Sequence, residues 1–111
     1  YTLYSCINIT VLLYVYDFNL DLQLVKKYED YYNVQFSGKI KLNLYMHLSL
    51  MIERVLLNSD KQNMTNLFRD EKAKEFQSVS KTIFKPVEMK YNIVINDFEI
   101  SLIYELIENY I

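Results

Sequence analysis

A shortage of turn-forming residues constrains this chain more than any other feature of its sequence. The 111 residues include one glycine and one proline. A β-sandwich or β-barrel needs many tight turns, and these two residues are the ones that supply most of them. Hydrophobic residues make up 51% of the chain and charged residues 23%, which is typical of an ordered globular domain. The sequence therefore predicts a compact, single, all-α domain.

Apolar residues recur at helical spacing along most of the chain. We expect a helix over roughly residues 19–32 and a long helix over Ile40–Leu57, with the only glycine marking the break between them. Residues 65–91 should hold two helices separated at Pro86, the first of them capped by Thr65. These stretches predict four helices.

A fifth helix is predicted at the end of the chain. Residues 92–95 are expected to form a short extended connector, and Asn-Asp-Phe-Glu at 96–99 has the pattern of a capping box, with Asn96 as the cap and Glu99 three residues later. Asp97 and Glu99 are accordingly interpreted as capping groups and not as catalytic acids. The sequence shows no internal repeat, and the prediction is a bundle of about five helices.

The first residues of the chain fit more than one type of secondary structure. Residues 3–16 are the most apolar run of the chain, but roughly 20 residues are needed to cross a bilayer, and Asn8 and Thr10 interrupt the run. A buried strand and a buried helix both fit this pattern. We therefore expect a lead-in segment, residues 1–18, followed by a helical domain over residues 19–111, with no membrane association.

Charge and cysteine content exclude several classes of function. The chain carries 12 Lys and Arg against 14 Asp and Glu, a net charge of −2, so it lacks the basic surface that binds nucleic acid directly. Cys6 is the only cysteine, which excludes an internal disulfide and the usual zinc sites. We expect a cytoplasmic protein without a metal or other cofactor.

The only histidine, His47, lies within the long second helix. A helical wheel at about 100° per residue places it at the margin of a broad apolar arc. The arc consists of Leu44, Tyr45, Leu48, Met51, Ile52, Val55 and Leu56. Asn43 and Arg54 lie on the same margin, and Arg54 returns almost to the azimuth of His47 at roughly 10 Å along the axis.

A second apolar stripe, Met46, Leu50 and Leu57, lies beyond this polar margin. It predicts that the helix is contacted on two sides, with the imidazole in a groove between packed elements. The sequence has no serine nucleophile elbow, no glycine-rich phosphate loop and no reactive Cys–His–Asx set, so we predict no catalytic residues and no enzyme. Two interpretations of His47 remain: a hydrogen-bonded residue at the edge of the core, or a phosphoryl acceptor through its ring nitrogen.

Two motifs of this chain resemble a known family. His-Leu-Ser-Leu-Met-Ile-Glu-Arg at 47–54 is similar to the histidine motif of PTS regulation domains (PRDs), in which a histidine precedes an arginine by seven residues. Ile-Val-Ile-Asn-Asp-Phe-Glu-Ile-Ser-Leu-Ile at 93–103 resembles the family's final motif, an apolar pair and an acidic cap before the last helix. The resemblance extends over residues 19–111.

The resemblance implies a compact bundle of about five helices that regulates a bacterial transcription activator or antiterminator. Histidines of such domains receive phosphoryl groups from the phosphoenolpyruvate-dependent sugar phosphotransferase system (PTS). His47 would therefore be the phosphorylation site, with Arg54 and Asn43 stabilising the phosphate. The implied partners are a PTS phosphocarrier or an enzyme II B component, other domains of the same regulator, and a second copy of the chain in a homodimer.

The chain departs from the family pattern at two positions. A second histidine is often present in the last helix, where Leu106 stands here, and the acidic residue common before the first histidine is replaced by Met46. Both departures resemble the C-terminal PRD of levanase-regulator-type, sigma-54-dependent activators, in which the donor is typically an enzyme II B component. The missing histidine also leaves a second possibility open, a dimerisation or protein-docking module that is not phosphorylated.

Overall fold

The computed structural model describes residues 18–57 and 67–111. These ranges contain no strand and form five α-helices followed by a short 3-10 helix. The helices are α1 (Phe18–Tyr32), α2 (Gly38–Leu56), α3 (Glu71–Ile83), α4 (Lys85–Tyr91), α5 (Asp97–Ile107) and the 3-10 helix (Glu108–Tyr110). The predicted all-α bundle of about five helices is confirmed. Except for Phe18, the predicted lead-in segment lies outside the described residues.

Side-chain caps set the starts of α2 and α3. The hydroxyl of Ser37 accepts the backbone N–H of Ile40 at 3.3 Å, so α2 begins at Gly38, two residues before the predicted start. The glycine thus lies in the first turn of the helix and not in the break. The carboxylate of Asp70 caps α3 by accepting the N–H of Ala73 at 2.7 Å. The predicted cap, Thr65, lies outside the described residues, and its assignment to this helix was wrong.

Pro86 separates two helices, as predicted. It lies in the first turn of α4, where an intrahelical hydrogen bond from its nitrogen would not be made in any case. Phe84 joins the end of α3 to the start of α4. Within the described ranges, no helix combines the length and the hydropathy that a bilayer-spanning helix requires.

Polar contacts show that α1 and α2 form an antiparallel pair. Near the connector between them, the Lys41 ammonium lies 3.7 Å from the Glu29 carboxylate. At the other end of the pair, the Ser49 hydroxyl donates to Asp21 at 3.3 Å. The pairing places the start of α1 beside the second half of α2.

The helices α3 and α5 are also antiparallel. The Lys72 ammonium donates to the carbonyl of Glu108 at 2.7 Å, whereas Lys81 and Asp97 form an ion pair of 3.4 Å at the opposite end. Apolar side chains from all five helices contribute to one core cluster. The packing therefore produces a single hydrophobic core.

Two helix–connector–helix units in this fold share the same backbone design. The first unit is the end of α1, residues 33–37 and α2, and the second is α4, residues 92–96 and α5. In each unit the first helix ends at an asparagine with a φ of 54°, Asn33 or Asn92. The next N–H returns to a glutamate carbonyl in each unit, from Val34 to Glu29 at 3.0 Å and from Ile93 to Glu88 at 3.1 Å. Both helix ends are therefore left-handed caps of the same type.

The same two glutamates hold the connectors with their side chains. Glu29 Oε2 accepts the N–H of Phe36 at 2.8 Å, and Glu88 Oε2 accepts the N–H of Ile95 at 2.9 Å. Phe36 and Ile95 are both buried. The second unit thus repeats the first with a shift of 59 residues, from Glu29 to Glu88. The sequence shows no internal repeat because the two units share backbone conformation and burial more than residue identity.

Burial follows the register of this repeat. Four pairs of corresponding positions are buried in both units: Tyr28 and Val87, Phe36 and Ile95, Leu44 and Ile103, and Leu48 and Ile107. In the same register, His47 of the first unit corresponds to Leu106 of the second. The repeat therefore gives the histidine position an internal counterpart.

Candidate functional site

His47 lies in the middle of α2, at the margin of the face that enters the core. Of the seven residues of the predicted arc, Leu44, Leu48, Met51 and Ile52 are at most 2% exposed, and Tyr45, Val55 and Leu56 are half-buried and pack against the core. His47 itself is half-buried. No hydrogen bond or ion pair joins its ring to any other residue of the described part of the chain. Both ring nitrogens are therefore unengaged by those residues.

Arg54, seven residues after His47, binds a carboxylate of the last helix. Its Nε donates to Glu99 Oε2 at 3.2 Å, and its Nη2 donates to Glu99 Oε1 at 2.5 Å. The Arg54 side chain is 38% exposed and the Glu99 side chain only 8% exposed. This hydrogen bond with Glu99 is the main cause that raises the pKa of Arg54 above its usual value. The two-point contact links the last turn of α2 to the first turn of α5.

The role of Glu99 differs in part from the prediction. Asn96 caps α5, since its Oδ1 accepts the backbone N–H of Glu99 at 3.0 Å. The Glu99 carboxylate, however, pairs with Arg54 and does not complete a capping box. Sequence reasoning missed this contact because a glutamate at the third helical position is the usual capping-box residue, and no sequence signal gives the distance between α2 and α5.

Two further polar residues of α2 flank the site. Glu53 is 8% exposed, and its Oε2 has no hydrogen-bond partner among the described residues. Its negative charge also contributes to the raised pKa of Arg54. Asn43 lies one turn before His47 and is half-buried. Across the described ranges, no three metal-ligating side chains converge on one point.

The second apolar stripe of α2 is exposed. Met46 is 55% exposed, Leu50 43% and Leu57 49%, and Leu42, which the wheel analysis did not include, is 59% exposed. The helix α2 packs against both α1 and α5, but the described residues do not cover this second stripe, contrary to the prediction. His47 lies between a buried apolar face and an exposed one, and not in a closed groove.

The sequence of residues 22–110 matches the PRD domain family. The chain belongs to this family, the PTS regulation domains. PRDs are regulatory and not catalytic domains; they sit in regulators and are generally phosphorylated by PTS components. Neither the curated proteins nor the solved structures include a significant match to the chain. The matched range covers both helix–connector–helix units and therefore both His47 and its counterpart Leu106.

Proposed function

We propose that this PRD belongs to a bacterial transcriptional activator and is controlled by PTS-dependent phosphorylation of His47 in response to sugar availability. The observation that carries the proposal is the state of His47, which is half-buried on α2 and has no partner for its ring among the described residues. It is also the only histidine of the chain. In this proposal residues 19–111 act as the regulatory unit, in the cytoplasm and without a metal or other cofactor.

The phosphoryl transfer is a direct displacement at phosphorus. A ring nitrogen of His47 attacks with its lone pair, a nitrogen–phosphorus bond forms, and the bond between phosphorus and the donor residue breaks with its electron pair staying on the donor. The proton on the other ring nitrogen is released. The product places about two negative charges at the margin of α2.

Arg54 lies seven residues after His47, at almost the same azimuth of the helix, and it is already engaged by Glu99. A phosphoryl group on His47 would compete with Glu99 for the guanidinium, and the amide of Asn43 could donate a further hydrogen bond. One charge-assisted hydrogen bond contributes about 1.5–3 kcal/mol, enough to shift an equilibrium tenfold. Phosphorylation would thereby weaken the contact between α2 and α5 and transmit the signal to the rest of the regulator.

The proposed partners follow from the family and from the charge of the chain. The departures at Met46 and Leu106 favour an enzyme II B component as the donor, as in levanase-regulator-type, sigma-54-dependent activators, with a PTS phosphocarrier as the other candidate. Other domains of the same regulator and a second copy of the chain are the remaining partners. The net charge of −2 supports regulation without direct contact to nucleic acid.

The test is phosphorylation by purified PTS proteins with phosphoenolpyruvate. We expect acid-labile phosphate on the wild-type domain and none on His47→Ala. Phosphate that appears on His47→Ala, or a wild-type domain that stays unlabelled with every PTS donor of its organism, contradicts the proposal. Circular dichroism of both proteins shows whether the variant is folded.

A second candidate is a docking or dimerisation module that is not phosphorylated. The exposed apolar stripe of α2 and the leucine at position 106 favour it. For this candidate, His47→Ala would leave the regulation of a reporter gene unchanged, whereas deletion of the domain would abolish it. For the first candidate, both changes alter regulation.

A further inference from the structure

An exposed apolar surface accompanies His47 along α2. Leu42, Met46 and Leu50 follow one another at intervals of one helical turn and are 59%, 55% and 43% exposed. The side of a helix that points away from the core usually carries polar residues. Contiguous exposed apolar side chains are typical of sites that bind another molecule.

The second helix–connector–helix unit provides an internal control for this surface. The positions that correspond to Leu42 and Met46 are polar, Ser101 and Glu105, and so is Asn109, which corresponds to Leu50 and lies in the 3-10 helix directly after α5. Glu105 and Asn109 are exposed, and Ser101 is half-buried. The fold therefore accepts polar residues at these positions. The apolar surface occurs only in the unit that carries a histidine, and is absent from the unit with Leu106 at the equivalent place.

We propose that Leu42, Met46 and Leu50 form the docking surface for the PTS protein that donates a phosphoryl group to His47, an inference that rests on the proposed function. Met46 is the neighbour of His47 in sequence, and Leu50 is one turn further along the helix. Reacting atoms must approach to about 3–3.5 Å for transfer. Around the helix, Leu50 lies about 60° and Met46 about 100° from His47, so a donor protein that reaches the imidazole would cover these two residues first and Leu42 at the edge of its contact.

The charges of α2 fit a phosphorylated partner. Lys39 is exposed and lies one turn before Leu42, and Arg54 lies beyond Leu50 towards the other end. The only acidic residue of α2 is Glu53, which is buried. The accessible charges along this helix are therefore positive. They attract a protein that carries a phosphoryl dianion, and the apolar side chains supply the specificity that charge alone does not give.

The test separates docking from the reactivity of His47. Potassium phosphoramidate is a small phosphoryl donor that needs no docking surface, whereas the reconstituted PTS relay delivers the group from a protein. The variant Met46→Ser/Leu50→Asn replaces two of the apolar residues with uncharged polar ones, and Met89→Ser/Val94→Asn makes the same kind of change at two residues that are 75% and 72% exposed and lie outside α2. We expect unchanged phosphoramidate labelling of all three proteins. The relay should label the α2 variant at least tenfold more slowly, and the control at the wild-type rate.

Several results would overturn the inference. Relay labelling of Met46→Ser/Leu50→Asn at the wild-type rate would show that the donor does not dock on these residues, while leaving the phosphorylation of His47 intact. A change from dimer to monomer in that variant, with an unchanged relay rate, would assign the surface to a second copy. A lower melting temperature confined to that variant would mean that another part of the same chain covers this surface. A wild-type domain that phosphoramidate labels but no PTS protein labels would overturn the proposed function, and the docking inference with it.

Discussion

The guanidinium of Arg54 binds Glu99 in the unmodified domain and, in the proposed mechanism, would also bind the phosphate on His47. Glu99 is 7% exposed, and a carboxylate at that depth needs a hydrogen-bonded partner. The unmodified domain satisfies it with both arms of the Arg54 fork. At the scale of single residues, the proposed phosphorylation of His47 would therefore have a structural cost, because the Glu99 carboxylate inside the α2–α5 contact would lose part of its partner.

The first prediction concerns this pair. Arg54→Met should lower the free energy of unfolding by about 2 kcal/mol, because it leaves the buried Glu99 carboxylate without its charged donor. In Arg54→Met/Glu99→Met the loss should be smaller than the sum of the two single losses. Urea denaturation followed by circular dichroism measures each value.

The matched control is the exposed ion pair between Lys26 and Asp30, whose side chains are 68% and 62% exposed. Lys26→Met should change the free energy of unfolding by less than about 1 kcal/mol, since solvent screens such pairs. If Arg54→Met costs no more than Lys26→Met, the Arg54–Glu99 contact does not stabilise the fold.

At the scale of elements, the two repeated connectors determine where α2 and α5 begin. Each connector starts at a left-handed asparagine, passes one buried apolar residue and ends at a side-chain cap, Ser37 for α2 and Asn96 for α5. The glutamates at positions 29 and 88 hold each connector through one backbone N–H. This shared geometry is what makes His47 and Leu106 equivalent positions.

The second prediction tests these connectors. Asn33→Ala and Asn92→Ala should each lower the free energy of unfolding by about 1 kcal/mol, because a β-carbon is strained at a φ of 54°. Asn33→Gly and Asn92→Gly should cost much less, since glycine adopts this conformation freely. Thermal and urea denaturation give both comparisons.

Gln35→Ala is the control, since Gln35 lies in the same connector and is exposed. It should leave stability nearly unchanged. Glycine variants as unstable as the alanine variants would show that the asparagine side chains, and not the left-handed backbone, stabilise the two connectors.

At the scale of the whole molecule, Tyr28 joins α1 to α3 in the centre of the core. Its ring stacks on Phe76 at 5.2 Å and meets the edge of Phe84 at 6.2 Å, and its hydroxyl shares a 2.6 Å hydrogen bond with Ser80. The residue is 1% exposed. Because all five helices contribute to this one core cluster, loss of packing at its centre should unfold the domain as a unit.

The third prediction is alkaline unfolding. Burial raises the pKa of Tyr28, and it raises the pKa of Tyr32 to about 12. The pKa of a tyrosine in an unfolded chain is about 10. Because the pKa values are raised in the folded state, the two tyrosines make their full contribution to the free energy of unfolding below about pH 10. That contribution is lost as the pH rises through the pKa values of the folded state. The urea midpoint should therefore fall steadily above about pH 10.

Tyr28→Phe gives the matched comparison. It should lose about 1 kcal/mol at neutral pH, because the buried Ser80 hydroxyl loses its partner, and its stability should fall less steeply in alkali. A wild-type midpoint that does not change between pH 9 and the pKa of Tyr32 at about 12 would contradict the assignment of these tyrosines to the folded-state titration.

The predicted elements show where sequence patterns succeed. The limits of α1 and α2 lie within two residues of the prediction, and α5 begins directly after the predicted cap, Asn96. These helices have a regular apolar period and polar caps, which are local signals. The start of α3 was missed, because several polar residues precede it and only the structure shows that Asp70 is the one whose side chain accepts a helix N–H.

The features of the candidate site also fall into two groups, those that the sequence determined and those that only the tertiary structure decided. The sequence by itself determined the helical class, the position of His47 beside the apolar face of α2 and the family motifs, because each depends on spacing along one helix or on residue identity. Tertiary structure decided that Arg54 binds Glu99, that the second stripe of α2 is exposed and that two units repeat. These features depend on which helices meet and at what distance, and a pattern along one helix carries no measure of the separation between two.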